Sequence, residues 1–219
     1  MLRLTASAIL FDMDGTLVDS SVKVEQVWHK WCARHDIDPE RVMAIQHGAR
    51  SSDTMRIVAP QLDIAAESAW LDAQEAADCE GIVEVPGACA LLAQLPPDRW
   101  TIATSAGRAT AQARLAHCGI PIPTTMVCAD DVSAGKPDPE IYRTAAARIG
   151  VPAADCLVFE DAPAGVASAL GAGCAVVQVG GGQAFDARIK AVVPDLAAIR
   201  VAQDGDMLML TLSTPLTQD

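Results

Sequence analysis

Residues 11–20 read "FDMDGTLVDS", and the meaning of the acids in this stretch decides the fold. Asp12, Asp14 and Asp19 follow directly on an apolar run, Ala8-Ile9-Leu10. A short apolar run bounded by turn residues reads as a buried strand, so the chain ends a strand in concentrated negative charge. Three readings compete: caps for a following helix, a solvated turn around Gly15, or a site that uses the repulsion. A lone D-x-D-G is commonly a turn or a calcium-loop fragment. Its place at the carboxyl end of a strand weakens that reading, because open α/β sheets bind their ligands there.

Hydrophobic periodicity extends the picture in both directions. Val24, Val27, Trp28, Trp31 and Cys32 recur at helical spacing and predict an amphipathic helix over 20–35. A second helix is expected over 63–78, with Ala66, Ala69, Trp70, Ala73 and Ala77 on one face. The polar stretch between them, "QHGARSSDTMR", reads as a loop in which Ser52 or Asp53 caps a short helix. Residues 16–84 thus read as all-helical. After "EVPG" the pattern changes. "WTIATS" (100–105), "TMVCAD" (125–130), "CLVFED" (156–161) and "CAVVQVG" (174–180) are runs typical of buried parallel strands, as is 4–11. Helical segments alternate with them at 88–95, 107–118, 139–149 and 163–172, the third opening on Asp138-Pro139. The tail "RVAQDGDMLMLTL" predicts a hairpin turning at Asp204-Gly205 at a sheet edge.

Alternation of this kind specifies an α/β fold, a doubly wound Rossmann-like parallel sheet carrying an inserted all-helical cap. The expected division is a discontinuous core, 1–15 and 85–219, with the insert at 16–84. Asp12, Ser105, Asp130 and Asp161 then fall at strand carboxyl ends, on one edge of the sheet.

The bulk numbers agree with a folded domain. Of 219 residues, 51% are apolar and 20% charged, which excludes a disordered chain. Sixteen basic against 28 acidic side chains give a net charge of −12. That field argues against nucleic acid and membrane surfaces as partners. An anionic small substrate is admissible where a metal or local cations offset it. Seven cysteines, with no CxxC pair, read as reduced thiols of a cytoplasmic protein. The first acids come too early for a signal peptide, and no run approaches transmembrane length.

Three further stretches complete a constellation: Thr104-Ser105, "GKPDP" with Lys136, and "FEDAPAG" with Glu160-Asp161. Singly, each has an ordinary reading as a helix cap or a turn. Together they place carboxylates, a hydroxyl and one lysine at the strand ends that a single phosphoryl site requires. Hard oxygen donors suit Mg²⁺, which binds through a few carboxylates plus substrate phosphate. Asp12 at the strand end can attack phosphorus. Crowding by like charge raises one carboxyl's pKa, so a neutral Asp14 can protonate the leaving oxygen and later take a proton from water. Lys136 and Ser105 stabilise the phosphoryl oxygens, and Asp19 is left as a cap or hinge. No G-x-G-x-x-G follows the first strand, and His29, His35, His47 and His117 lack metal-ligand spacing.

With these residues in place, the sequence resembles the haloacid dehalogenase superfamily, in its phosphatase branch, over essentially the whole chain. "FDMDGTLVDS" looks like the family's first motif, Ser105 its second, Lys136 its third and "EDAPAG" its fourth. The resemblance implies Asp12 as nucleophile and Asp14 as general acid/base. It implies Mg²⁺ held by Asp12, the Asp14 backbone carbonyl and Asp161, with Glu160 close by. Thr16 matches a position that helps hold the site in order, and with Ala106 it joins the substrate-facing set. The insert looks like the family's cap, whose loop offers His47, Gly48 and Arg50 as specificity residues. Arg50 reads equally as a solvated loop arginine.

The cap is similar to those of bacterial phosphatases acting on sugar and polyol phosphates. The expected function is therefore Mg²⁺-dependent hydrolysis of a small phosphorylated metabolite, through an aspartyl-phosphate. A sugar phosphomutase of the β-phosphoglucomutase kind shares cap and nucleophile and is the enzyme alternative. A phospho-acceptor signalling domain uses the same residue types, but it places its aspartate after a later strand and carries no insert.

Overall fold

The computed structural model describes residues 1–213. The chain opens with β1 (Leu2–Ala6), β2 (Ala8–Phe11) and β3 (Val18–Asp19). Four helices follow: α1 (Ser21–His35), α2 (Pro39–Met43), α3 (Ser51–Val58) and α4 (Ile64–Ala77). β4 (Val83–Glu84) leads back to α5 (Ala88–Leu92), β5 (Trp100–Ile102), α6 (Arg108–His117) and α7 (Glu140–Arg148). Then come β6 (Cys156–Glu160), α8 (Pro163–Ala172), β7 (Ala175–Val179), β8 (Ala191–Val193), β9 (Ile199–Asp204) and β10 (Met207–Leu212).

β2 lies inside a five-stranded parallel sheet ordered β5-β2-β6-β7-β8. All four of its residues are buried, and alternate ones pack on opposite faces. Ile9 and Phe11 join Trp100 and Leu157 on one side; Ala8 and Leu10 join Val158 and Val176 on the other. Burial on both faces is why these strands read as continuous apolar runs. Phe11 stacks on Phe159 of β6 with ring centroids 5.3 Å apart. The Asp12 N–H donates to the Phe159 carbonyl at 3.0 Å, which fixes the register where both strands deliver their acids.

The insert closes around its own apolar cluster, including Trp28, Trp31, Cys32, Met55 and Leu71. Trp28 and Trp31 meet edge-on, and Trp31 Nε1 donates to Glu67 at 2.9 Å, so the indole's polar edge is satisfied as its body is buried. At the start of α1, Asp19 Oδ1 accepts from the Ser21 N–H at 3.1 Å and from its hydroxyl at 2.6 Å. That acid caps the helix, because the Ser20 hydroxyl is committed to Asp14 instead.

Several elements differ from the sequence expectation. The 4–11 run is two strands: past Ser7 the chain joins the parallel sheet, whereas β1 pairs antiparallel with β10, itself paired with β9. The C-terminal hairpin turns at Gly205-Asp206 and belongs to this separate three-stranded sheet. The 125–130 run forms only a bridge from Val127 to Ala103. Asp130 is drawn away to accept from the Arg108 N–H at the start of α6, and Asp131 accepts from the Cys128 N–H, both at 2.8 Å. β8, three residues long and absent from the expectation, forms the sheet's edge instead.

The insert is not wholly helical either, since β3 and β4 pair antiparallel at its base. In α4 the alanines at 66, 69, 73 and 77 face solvent, and Leu71 and Glu75 are buried. An alanine stripe carries little apolar area and so has a weak claim on the interior. α3 begins at Ser51, where Asp53 pairs with Arg50 and Arg56 rather than capping. Among the described residues no helix is long and apolar enough to cross a membrane. All seven cysteines are free thiols, four of them buried.

Candidate active site

Asp12 directly follows β2, and Glu160-Asp161 close β6, so the pairing of these strands sets the acids side by side. Carboxylate oxygens of Asp12, Glu160 and Asp161 lie within 4.8 Å of one another. Anions so close and so dry repel strongly. Lys136, from the loop before α7, offsets the two deepest. Its Nζ donates to Asp12 Oδ1 and to Glu160 Oε1, each at 2.5 Å, with the side chain fully buried. Burial works against the lysine's charge, but the two carboxylates prevail and raise its pKa. Burial also pushes the Asp12 carboxyl well above the usual carboxylate range, with Lys136 opposing. Glu160 is fully committed: Oε1 also accepts from the Tyr142 hydroxyl at 3.1 Å and Oε2 from the Ala162 N–H at 2.8 Å. Through Oε1 it also holds Lys136.

Two glycines allow the acids to approach the backbone. A Cβ at Gly15, where φ is +84°, would collide with the Asp161 carboxylate, and one at Gly165 would collide with Glu160. The donor set, carboxylate oxygens in a negatively charged corner, fits a hard divalent cation.

The remaining sequence-derived residues separate into groups. Thr16 is buried beneath the site and donates to Asp161 Oδ1 at 3.3 Å, so it orients that acid. Asp14 accepts from the Ser20 hydroxyl at 2.6 Å and from Arg114 Nη1 at 2.7 Å. A cation and a hydroxyl, rather than crowding acids, therefore grip Asp14. Ser105 and Ala106 follow β5 and line the cavity; the Ser105 hydroxyl donates to the Gly48 carbonyl at 2.9 Å.

His47 and Gly48 bring the insert's loop onto the core. His47 Nε2 lies 2.8 Å from Asp161 Oδ2, and that hydrogen bond raises the imidazole's pKa. A Cβ on Gly48, at φ +74°, would come within 2.5 Å of the Ala162 Cβ. Arg50 is placed elsewhere. Its guanidinium meets Asp53 at 2.7 Å and the carbonyls of Val132 and Ser133 at 3.3 and 3.2 Å, outside the cavity wall. Asp130, at α6, is also away from the site.

A cavity of about 550 Å³ lies between sheet edge and insert, lined by Asp12, Asp14, Ser105, Asp161, His47 and Trp28 among others. Two wall residues escape sequence reasoning. Arg114 of α6 is 2% exposed, and its Nη2 lies 3.2 Å from Oε2 of Glu75 on α4. Burial pushes the Glu75 carboxyl from 4.5 to about 7, with Arg114 opposing and Asp14 and Asp72 reinforcing. No sequence signal marked either residue, because the apolar spacing of α4 pointed to a different face.

Residues 6–173 match the family described as haloacid dehalogenase-like hydrolase. The chain belongs to that family. The matched segment of this haloacid dehalogenase-like hydrolase contains every site residue from Asp12 to Asp161 and the whole insert. Hexitol phosphatase A of Escherichia coli (strain K12) is 44% identical over 175 residues, covering 78% of this chain and 81% of that one. Glycerol-1-phosphate phosphohydrolase 2 of Saccharomyces cerevisiae is 35% identical over 193 residues, covering 81% and 76%. A solved hydrolase from Pseudomonas syringae aligns with a TM-score of 0.73 at 28% identity, covering 87% of this chain and 94% of that one.

Proposed function

We propose that the protein hydrolyses phosphomonoesters of small sugars or polyols, through an aspartyl-phosphate on Asp12 and with Mg²⁺ as cofactor. The observation that carries this reading is Lys136 bridging Asp12 and Glu160 beside Asp161 at the ends of β2 and β6. Mg²⁺ would be held by Asp12, the Asp14 backbone carbonyl and Asp161, where it supplies the positive charge that admits a phosphate dianion among acids.

Asp12 attacks phosphorus, and the ester oxygen leaves with a proton from Asp14. Water then attacks the aspartyl-phosphate and gives a proton to Asp14. The bond from Asp12 to phosphorus breaks and inorganic phosphate departs. Lys136 donates to a phosphoryl oxygen as charge builds there, and Ser105 does the same once its hydroxyl turns from Gly48.

Among the described residues, 1–15 and 85–213 form the core in this reading, and 16–84 the cap. His47 on Asp161, Gly48 on Ser105 and Arg50 on the 132–133 carbonyls seat the cap over the site. Seven free thiols support a reducing, cytoplasmic setting.

Relatives named for hexitol and for glycerol-1-phosphate support a polyol or sugar ester. A mutase passing through a bisphosphate must hold a second phosphate. The described cavity wall sets Asp19, Glu25 and Glu75 against a single arginine, Arg114, whose Nη1 is bonded to Asp14, which favours hydrolysis. Phosphate release from a panel of sugar, polyol and glycolate phosphates tests the proposal. Turnover of a sugar or polyol ester with Mg²⁺ and none with EDTA is expected. Turnover that needs a bisphosphate activator would favour the mutase.

A further inference from the structure

Arg114 is deeply buried on the cavity wall, and its hydrogen bonding is incomplete. Nη1 is engaged by Asp14, but Nε and Nη2 find no hydrogen-bond partner among the described residues. Nη2 and Glu75 Oε2 are close enough at 3.2 Å to attract, yet they are not aligned as donor and acceptor. Unmade bonds on a buried charged group are expensive unless something completes them. Both residues line the active-site cavity, but Nε and Nη2 have almost no surface open to it; what the cavity reaches is the Glu75 carboxylate beside them.

The two residues reach the cavity from opposite sides of a firm joint. Glu75 comes from α4 of the insert and Arg114 from α6 of the core. The Thr110 hydroxyl of α6 donates to the Asp72 carbonyl of α4 at 3.2 Å, and a Cβ on Gly107 would stand 3.0 Å from Asp72 Oδ2. Little slack is left between the helices, so the pair is held in place before any ligand arrives.

We infer that Glu75 and Arg114 form the subsite that selects a neutral, hydroxylated leaving group. Glu75 accepts from a substrate hydroxyl, and Arg114, whose Nε and Nη2 are sealed from the cavity, stands behind it and holds it in place. The inference rests on the phosphatase reading above and extends it to the alcohol part of the ester. A hydroxyl donates to Glu75 without adding negative charge beside it. A carboxylate or second phosphate only accepts, and it would face Glu75, Asp19 and Glu25 on the same wall. A hydrocarbon would leave the Glu75 carboxylate without a donor. Sites built to bond a substrate hydroxyl reject analogues that lack it.

The test compares wild type, E75Q, E75D and R114K on sorbitol 6-phosphate and p-nitrophenyl phosphate with Mg²⁺, together with calorimetric titration of free sorbitol. Thermal melting of each variant checks the fold. Wild type is expected to prefer the sorbitol ester. The Glu75 variants should cut that preference about tenfold to hundredfold, mainly through KM, and weaken free sorbitol in proportion. Equal losses on both esters would overturn the subsite and leave Arg114 as a positioning residue for Asp14; an unchanged preference would overturn it as well. Should E75Q fail to fold, E75D keeps the charge, shortens the reach and is read by the same ratio. A wild type that hydrolyses neither ester defeats the phosphatase reading alone. Sorbitol affinity absent from wild type, or undiminished in E75D, defeats the subsite separately.

Discussion

Lys136 Nζ lies 2.5 Å from Asp12 Oδ1, and the lysine is fully buried. Its partner acids are nearly as dry, so the ammonium is what makes them tolerable in the interior. Lys136→Met keeps much of the volume but strands Asp12 and Glu160. Breaking a buried pair by removing one member costs about 3–5 kcal/mol. Urea unfolding should show a loss of that order, and phosphate release should fall by about a hundredfold or more. A variant as stable as wild type would contradict the role assigned to the lysine.

A cation bound by Asp12 and Asp161 stabilises the folded state by mass action. At a hundred times its Kd the gain is about 2.7 kcal/mol. Melting in MgCl₂ should therefore exceed melting in EDTA, and Asp161→Asn should lose most of the difference. Equal melting of wild type in both would count against a metal at these acids.

Arg50 grips Asp53 and the carbonyls of Val132 and Ser133 rather than the cavity. Arg50→Ala should loosen the seating of the insert and lower kcat/KM about tenfold for every ester alike. An effect confined to one substrate would return Arg50 to a specificity role.

Glu75 makes stability depend on pH. Its carboxyl titrates near 4.5 in the unfolded chain and near 7 in the native protein. Between those values the native state holds the extra proton, so this contribution to stability falls as pH rises, and above 7 it is flat. Glu75→Gln removes the titration. The unfolding free energy of wild type relative to the variant should drop by up to about 3 kcal/mol from pH 4.5 to pH 7. A constant difference across that range would show that Glu75 is ionised throughout.

What was legible in the sequence follows from how each residue is placed. Asp12, Ser105 and Asp161 end short apolar runs, and strand ends in a parallel sheet have only one edge to occupy, so their order along the chain already brought them together. Lys136 could be read only as a member of that set. Arg114 and Glu75 could not be read at all, because each sits on a helix whose inner face is decided by packing between core and insert. In α4 the alanine spacing pointed to the wrong face: a methyl group gains little from burial, and Leu71 takes the interior instead. The 125–130 run failed as a strand for a similar reason. Its acid, Asp130, is taken by the Arg108 N–H and the next, Asp131, by the Cys128 N–H, and the run keeps only a single bridge.

The central claim is that Asp12 carries the phosphoryl group. Rapid acid quench of enzyme mixed with substrate and Mg²⁺, followed by peptide mass spectrometry, tests it most directly. The account predicts a phosphoryl group on the peptide containing Asp12 during turnover. It predicts none in Asp12→Asn, which keeps an acceptor for Lys136 and loses at least about a thousandfold in rate. Turnover by wild type with no phosphoryl group on that peptide at any time, or an active Asp12→Asn variant, would contradict it.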